Sequence, residues 1–214
     1  MRKRMAVWTI LFFCSVAAQN AWARTDLGWR SAGVDAGFVD PENVPGTLGF
    51  GAFADLGNLS PDVRLEPHLG YWSKSEDFGG DKVSISDIAL SARALYMFHG
   101  TSPRFRPYAG GGLGLHFVHA KAEFAAQDMG GGVMMPASEF SDTQTKLGLD
   151  MVGGFQTPLG ARTDFRFDVG YTAVSDVAHF SMKAGVSFAL GGSRHEAKSP
   201  ASASKPLHRG HAEP

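Results

Sequence analysis

Apolar and polar residues alternate along this chain in long segments, and this alternation constrains the fold more than any other feature of the sequence. In residues 63–72, for example, Leu65, Leu69 and Tyr71 all occupy odd-numbered positions, while the even-numbered positions are mostly charged or polar. We call each of these two alternating sets of positions in a segment a parity. A period of two is typical of β-strands, whose successive side chains point to opposite faces. Eight such segments cover about residues 27–39, 46–56, 63–72, 87–98, 108–117, 146–156, 164–172 and 179–190.

The length and number of these segments favour a membrane barrel. Each has on the order of 10 residues, which matches one tilted crossing of a bilayer by a β-strand. Strands cross lipid only as a closed ring, because lipid offers no partners for an open edge. No stretch after residue 23 approaches the roughly 20 apolar residues of a transmembrane helix. The sequence therefore predicts an all-β fold, an eight-stranded antiparallel transmembrane up-and-down β-barrel, over residues 24–190.

The polar parity carries charges of both signs at mid-strand positions, which indicates that it faces the barrel interior. The lumen of eight strands is just wide enough for side chains, and buried charges need partners of opposite sign. A soluble barrel of the lipocalin type has the same period with its faces reversed, and it remains the alternative fold. The predicted interior polar network contains Arg64, Glu66, His68, Asp87, Arg93, His116, Lys146, Asp150, Asp164, Arg166, Asp168 and Lys183.

Aromatic residues of the apolar parity collect near the strand ends, with Ala, Leu, Val and Met between them. Two aromatic girdles around an aliphatic band are typical of outer-membrane barrels. With the mature N-terminus in the periplasm, the predicted outer girdle contains Phe38, Phe50, Tyr71, Phe117, Tyr171 and Phe180. The predicted inner girdle contains Tyr96, Phe98, Phe105, Phe155, Phe165 and Phe188.

The two ends of the chain differ from the rest. Residues 1–23 combine a basic start, an apolar run and a small-residue pattern before Arg24, which predicts a signal peptide. Its removal takes three basic residues and no acidic one, which leaves 17 against 21 and a net charge of -4. The only cysteine, Cys14, lies in this segment, so the mature chain has no disulfide or thiol chemistry. Residues 191–214 are rich in Ala, Ser, Pro and basic residues and predict a disordered periplasmic tail.

The sequence resembles the small outer-membrane β-barrel family, in the size class of the OmpA membrane domain and OmpX. The resemblance rests on RLEPHLGYW at 64–72, RPYAGGGLGLHF at 106–117, FRFDVGY at 165–171 and AGVSFAL at 184–190. It implies a location in the bacterial outer membrane. The last motif resembles the closing-strand signal that the barrel-assembly machinery reads, which implies this machinery as a partner during biogenesis.

The connections between segments predict where partners bind. We expect short turns at 57–61, 99–103 and 158–161 on the periplasmic side, and long outer loops at 73–82 and 119–142. Outer-membrane lipid and lipopolysaccharide are expected around the barrel, and an extracellular ligand at the two long loops. A net negative charge argues against nucleic acid. No cofactor or metal is predicted.

Three functions are compatible with the sequence. The first is a non-catalytic barrel with a structural or interaction role through its extracellular loops. The second is a narrow channel for small solutes, lined by the interior charges. The third is a lipid A-modifying hydrolase, because His179 and Ser181 have the H-x-S spacing of outer-membrane lipid A deacylases, with Asp176 as an orienting group. Met182 stands where that family usually has Asn.

Overall fold

The structure is a computed structural model of the 214-residue chain, and it describes residues 25–42, 44–99, 102, 104–128, 134–175 and 177–190. The predicted signal peptide and the predicted tail from residue 191 lie outside the described residues. Both therefore remain predictions.

Eight long antiparallel strands form a closed ring in the order β1-β10-β9-β8-β5-β4-β3-β2. Two additional two-residue strands, β6 and β7, pair with each other in the connection between β5 and β8. The predicted fold class is confirmed. The strands are β1 (Asp26–Pro41), β2 (Thr47–Ser60), β3 (Val63–Phe78), β4 (Asp81–Met97), β5 (Arg106–Phe124), β6 (Gln127–Asp128), β7 (Met134–Met135), β8 (Ser138–Pro158), β9 (Thr163–Val174) and β10 (His179–Ala189).

The ring turns the apolar parity outward. Leu69 is 48% exposed on the outside of β3, whereas its neighbour His68 is 3% exposed in the lumen. The ring closes through the antiparallel pair of β1 and β10, in which Val34 lies opposite Val186. Because closure gives every barrel strand two neighbours, the backbone groups of the barrel wall have partners within the protein. Within the described residues, no helix is long and apolar enough to cross a membrane.

The barrel is taller on one side than the sequence predicts. Residues 73–82 and 119–142, which we expected to be long loops, are mostly strand. β3 and β4 stay paired from Ser73 and Ser86 to Phe78 and Asp81, and β5 and β8 stay paired as far as residues 124 and 138. Gly79 and Gly80 close the first hairpin with φ angles of 63° and 111°. Positive φ at both central residues suits the tightest hairpin turn.

One predicted periplasmic turn is also shorter than expected. Residues 57–61 were predicted to be a turn, but β2 continues to Ser60 and β3 begins at Val63. Gly57, with a φ of 92°, lies where the register of β1 against β2 shifts, so the glycine marks an irregularity within the strand. The β2–β3, β4–β5 and β8–β9 connections, which we predicted as short periplasmic turns, and both ends of the barrel domain lie on the same side, opposite the tall hairpins.

Candidate functional site

Four strands rise beyond the barrel wall and form one continuous sheet. β4 pairs with β3 on one side and with β5 on the other, and β5 pairs with β8. β8 gains β9 as a neighbour only from Gly148, which lies opposite Val174. We call the part of this sheet formed by residues 73–78, 81–86, 119–124 and 138–145 the sheet extension. Its end lies opposite the short turns, which is the extracellular side of an outer-membrane barrel.

The polarity of the two faces inverts where the sheet extension begins. On the outside of the barrel wall the last large apolar residues are Tyr71, Ile88 and Phe117, which lie side by side on β3, β4 and β5. The next outward residues on the same strands are polar: Ser73, Ser86 and His119. This change marks the level at which the wall leaves the hydrocarbon layer.

The outward face of the sheet extension is covered with polar contacts. The hydroxyls of Ser75 and Ser84 share a hydrogen bond of 2.8 Å, and Nδ1 of His119 lies 2.9 Å from the hydroxyl of Thr143. The side chain of Lys121 pairs with Glu123 at 2.6 Å and with Glu139 at 3.0 Å. The hydrogen bond to Glu123, followed by that to Glu139, raises the pKa of Lys121. The same contact with Lys121 lowers the pKa of Glu123.

The opposite face of the sheet extension looks over the mouth of the barrel and is apolar at its centre. Val83, Ala122 and Phe140 are cross-strand neighbours in one row. Phe140 is 64% exposed and Val83 is 46% exposed. Ile85 and Ala120 form the next row. Ile85 packs against Val118, Val174 and Val177, which lie at the outer end of the lumen. We call Val83, Ile85, Ala120, Ala122, Phe124 and Phe140 the apolar patch.

Charged and polar residues border the apolar patch on both sides. Lys74 and Glu76 share its face of β3, and Asp142, Gln144 and Lys146 share its face of β8. An apolar centre with a polar rim is the usual anatomy of a protein–protein interface. Exposed apolar residues in a contiguous group mark interaction surfaces on soluble parts of proteins.

In the lumen, Arg166 is the centre of the polar network. It is 1% exposed and donates both terminal nitrogens of its guanidinium to the carboxylate of Glu66. Its Nε donates to Asp168 at 2.6 Å, and the hydroxyl of Tyr108 donates to the same carboxylate. The ring of Phe53 lies 4.4 Å from the guanidinium carbon, and the ring of Tyr108 lies 5.0 Å away. Arginine is suited to this position because its planar group binds a carboxylate in two places and stacks on aromatic rings.

The other residues predicted for the network all lie on the interior face, and most have partners of opposite charge. Arg93 donates to Asp150 at 3.1 Å, and Lys146 donates to the backbone oxygen of Ser175 near the mouth. The remaining pairs are His68 with Asp35 at 3.0 Å, Lys183 with Asp35 at 3.4 Å, His116 with Asp87 at 2.8 Å, Arg64 with Asp55 at 3.3 Å and Arg106 with Asp164 at 2.7 Å.

Sequence reasoning missed several members of this network. Asp35 and Asp55 lie on the polar parity of their strands and could have been included on that ground alone. Arg106 and Tyr108 precede a run of glycines, where the alternation is difficult to follow. The pairing of partners that are 100 residues apart, such as Glu66 and Arg166, has no signal in the sequence.

Apolar residues close the lumen at both ends. Val118, Val174 and Val177 form the outer plug below the sheet extension. Leu95, Met97, Tyr108 and Val152 form the inner plug near the short turns. All seven residues are less than 9% exposed. The buried ion pairs of the network, such as Arg166 with Glu66, therefore lie between two apolar layers.

The aromatic residues predicted as girdles lie on the outside of the barrel. In the outer group, Phe50 is a cross-strand neighbour of Tyr71, and Tyr171 is a cross-strand neighbour of Phe180. The inner group includes ring contacts of Phe105 with Phe155 at 5.0 Å and of Tyr96 with Phe98 at 5.1 Å. The other members, Phe38, Phe117, Phe165 and Phe188, also lie on the outward parity of their strands.

The pair proposed for hydrolysis lies inside the lumen. His179 and Ser181 both line the interior, and Nδ1 of His179 donates to the backbone oxygen of Val177 at 3.3 Å. The ring of His179 contacts Trp72 and His116. Asp176 lies outside the described residues. Among the described residues, no three His, Asp or Glu side chains are grouped so that they could hold a metal ion.

These features define an integral membrane β-barrel with a polar, filled interior and an apolar exterior. The sequence matches the family described as Outer membrane protein beta-barrel domain over residues 7–191. The chain belongs to this family and is a protein of the bacterial outer membrane, as the sequence predicts. No curated protein matches the sequence.

Solved structures support the fold. Neisserial surface protein A (NspA) is similar with a TM-score of 0.52 and 19% identity, and the match covers 75% of this chain and 95% of NspA. A major outer membrane protein from Thermus thermophilus has a TM-score of 0.53 and 12% identity, with 75% and 99% covered. The outer membrane enzyme PagL has a TM-score of 0.43 and 12% identity, with 73% and 98% covered, which is too low to support a comparison of function.

Proposed function

We propose that this protein is a non-catalytic outer-membrane barrel that presents the sheet extension as a binding surface for an extracellular partner protein. The observation that carries this proposal is the inversion of polarity at the level of the outer girdle. A sheet that served only to anchor the barrel would need no apolar face above the membrane. The exposed side chains of Phe140, Phe124 and Val83, rimmed by charged residues, have the composition of a protein interface.

The closed lumen argues for a binding role rather than a channel. An ion on its way through the barrel would have to displace both the outer plug and the inner plug, and between them it would meet charges that are already paired. We therefore expect no conductance steps when the purified protein is added to planar bilayers. Regular steps from the pure, folded protein would restore the channel as the leading function.

The position of His179 and Ser181 argues against a lipid A-modifying hydrolase. A lipid substrate lies outside the barrel, whereas both side chains line the lumen. No hydrogen bond joins His179 to Ser181, although both are described. Lipid A from cells that overexpress the protein should be unchanged. Modified lipid A that reverts to normal with Ser181→Ala would overturn the proposal.

The expected partners around the barrel belong to the same proposal. Outer-membrane lipid and lipopolysaccharide would surround the aliphatic band and the two aromatic girdles. The barrel-assembly machinery would read residues 184–190 during biogenesis. Both remain predictions from the sequence and its resemblance to known barrels.

The apolar patch is tested by a matched pair of variants on neighbouring residues. Phe140→Ser removes the most exposed ring of the patch, and Ser141→Ala changes the adjacent side chain on the polar face. Cells that display each protein are fluorescently labelled and applied to a panel of immobilised soluble proteins. The proposal predicts that at least one protein of the panel retains wild-type cells and Ser141→Ala cells. The same protein should not retain Phe140→Ser cells.

Deletion of residues 121–141 separates the role of the surface from that of the scaffold. The shortened protein should still shift in gel mobility on boiling, because the barrel wall below the outer girdle is intact. It should also lose binding to the panel. Equal binding by the shortened protein and by the wild type would contradict the proposed site.

A further inference from the structure

A small polar cavity lies inside the lumen, just below the outer end of the barrel. Its volume is about 30 Å³. Trp72 and Val39 close it from above, and Arg93, Asp150 and Lys183 border it from below and from the side. The lining also includes His68, Asp87, His116 and His179. The cavity is separate from the apolar patch and plays no part in the proposed function.

Several buried polar atoms that line this cavity have no hydrogen-bond partner in the protein. They are Nε1 of Trp72, Nδ1 of His68, Nε2 of His116 and Oδ1 of Asp87. All four residues are at most 3% exposed. Buried polar atoms in folded proteins are almost always paired, either with the protein or with ordered water.

The pairs that the two histidines already make determine what the free atoms can do. Nε2 of His68 faces the carboxylate of Asp35, and Nδ1 of His116 faces that of Asp87. A carboxylate only accepts, so each of these ring nitrogens carries the proton and donates it. In a neutral ring, the second nitrogen is then an acceptor. The indole of Trp72 is a donor only.

We propose that this cavity binds two water molecules, one of which accepts from Trp72, and which together donate to the free nitrogens of the histidines and to Asp87. Water is the ligand that both donates and accepts, and the cavity exceeds the roughly 10–15 Å³ that one water molecule needs. An anion would meet three acceptor atoms. A metal ion would need three ligands close together, and the described residues offer no such group.

This interior water joins two ion pairs that are otherwise separate. In the first pair, His68 on β3 contacts Asp35 on β1. In the second pair, His116 on β5 contacts Asp87 on β4. The outer plug, formed by Val118, Val174 and Val177, separates the cavity from the extracellular solvent. Water in the cavity is therefore expected to exchange slowly, as part of the fold.

The first test is NMR spectroscopy of the folded mature protein in detergent micelles. Its two tryptophans are Trp29, which is 67% exposed, and Trp72, which is 3% exposed. Trp29→Phe leaves a single indole signal, that of Trp72, without a change in the lumen. The proposal predicts an Overhauser cross-peak between this indole proton and water. The sign of this cross-peak should be that of a water molecule that stays bound while the protein tumbles. An indole proton without such a peak would overturn it.

The second test is a crystal structure of the same protein, with and without a zinc soak. The expected result is electron density for water within hydrogen-bond distance of Nε1 of Trp72 and of at least one free histidine nitrogen, with no anomalous signal after the soak. Three results would overturn the proposal: a cavity without density, a rearrangement in which these atoms pair directly with one another, or an anomalous peak for zinc in the cavity.

Discussion

Replacing Arg166 with methionine is the most informative perturbation of the barrel interior. The substitution keeps much of the side-chain volume and leaves Glu66 and Asp168 without their shared cation. Both carboxylates are less than 10% exposed, so water reaches neither of them. Removal of one partner from a buried ion pair typically costs about 3–5 kcal/mol, because the remaining charge is left uncompensated. The free energy of unfolding of Arg166→Met should fall by an amount in that range.

A second arginine provides the matched control. Arg106 pairs with Asp164 near the periplasmic rim, where the two side chains are 26% and 19% exposed. Partial exposure lets water screen the remaining carboxylate, so Arg106→Met should cost only on the order of 1 kcal/mol. The difference between the two variants measures the effect of burial, since the substitution is the same in both.

The assay is unfolding by urea in lipid vesicles, followed by gel mobility without boiling. The double variant Arg166→Met with Glu66→Gln should recover part of the lost stability, because it removes one uncompensated charge. Equal stability of Arg166→Met and Arg106→Met would refute the reasoning. No recovery in the double variant would show that the lost stability arises from packing against Phe53 and Tyr108 instead of from charge.

Three further predictions concern the wall and the sheet extension. Leu149→Lys, on the lipid face of β8, should lower the free energy of unfolding in vesicles by about 2–4 kcal/mol. Thr143→Lys, above the outer girdle, should lower it by only about 0–1 kcal/mol. Equal losses in the two variants would contradict the assigned membrane level. Gly112→Ala would place a Cβ atom 2.2 Å from a backbone oxygen of β4 and should cost about 1–3 kcal/mol in the same assay. Glu123→Gln should lower the pKa of Lys121 towards its ordinary value in an NMR titration, because a neutral amide replaces the charged acceptor in the first of the two hydrogen bonds that raise it. An unchanged pKa would exclude that contact.

The barrel could be predicted from the sequence because lipid imposes a strict alternation on every strand. Leu65, Leu69 and Tyr71 must all face outward once one of them does, so a period of two specifies both the strand and its faces. The sheet extension could not be recognised in this way, because its apolar parity is the opposite one. The adjacent glycines Gly79 and Gly80 were the available signal for the tight hairpin.

The partners inside the lumen were beyond sequence reasoning for a different reason. Parity identifies Glu66 and Arg166 as interior residues, but their contact depends on the stagger of all eight strands around the ring. A shift of the register by two residues would keep every side chain on its face and still separate the pair. The cavity below Trp72 depends on the same stagger and could not have been predicted either.

The central claim is that one parity of the wall contacts lipid up to the outer girdle and that both faces lie in water above it. The only cysteine of the sequence, Cys14, lies in the predicted signal peptide, so single cysteines can be placed one by one along residues 139–152 of β8 and labelled with a polarity-sensitive fluorophore. Brominated lipid in the vesicles should then quench the label at 147, 149 and 151, but not at 148, 150 or any position from 139 to 145. Quenching at 148 and 150 instead would mean that the assigned faces are reversed.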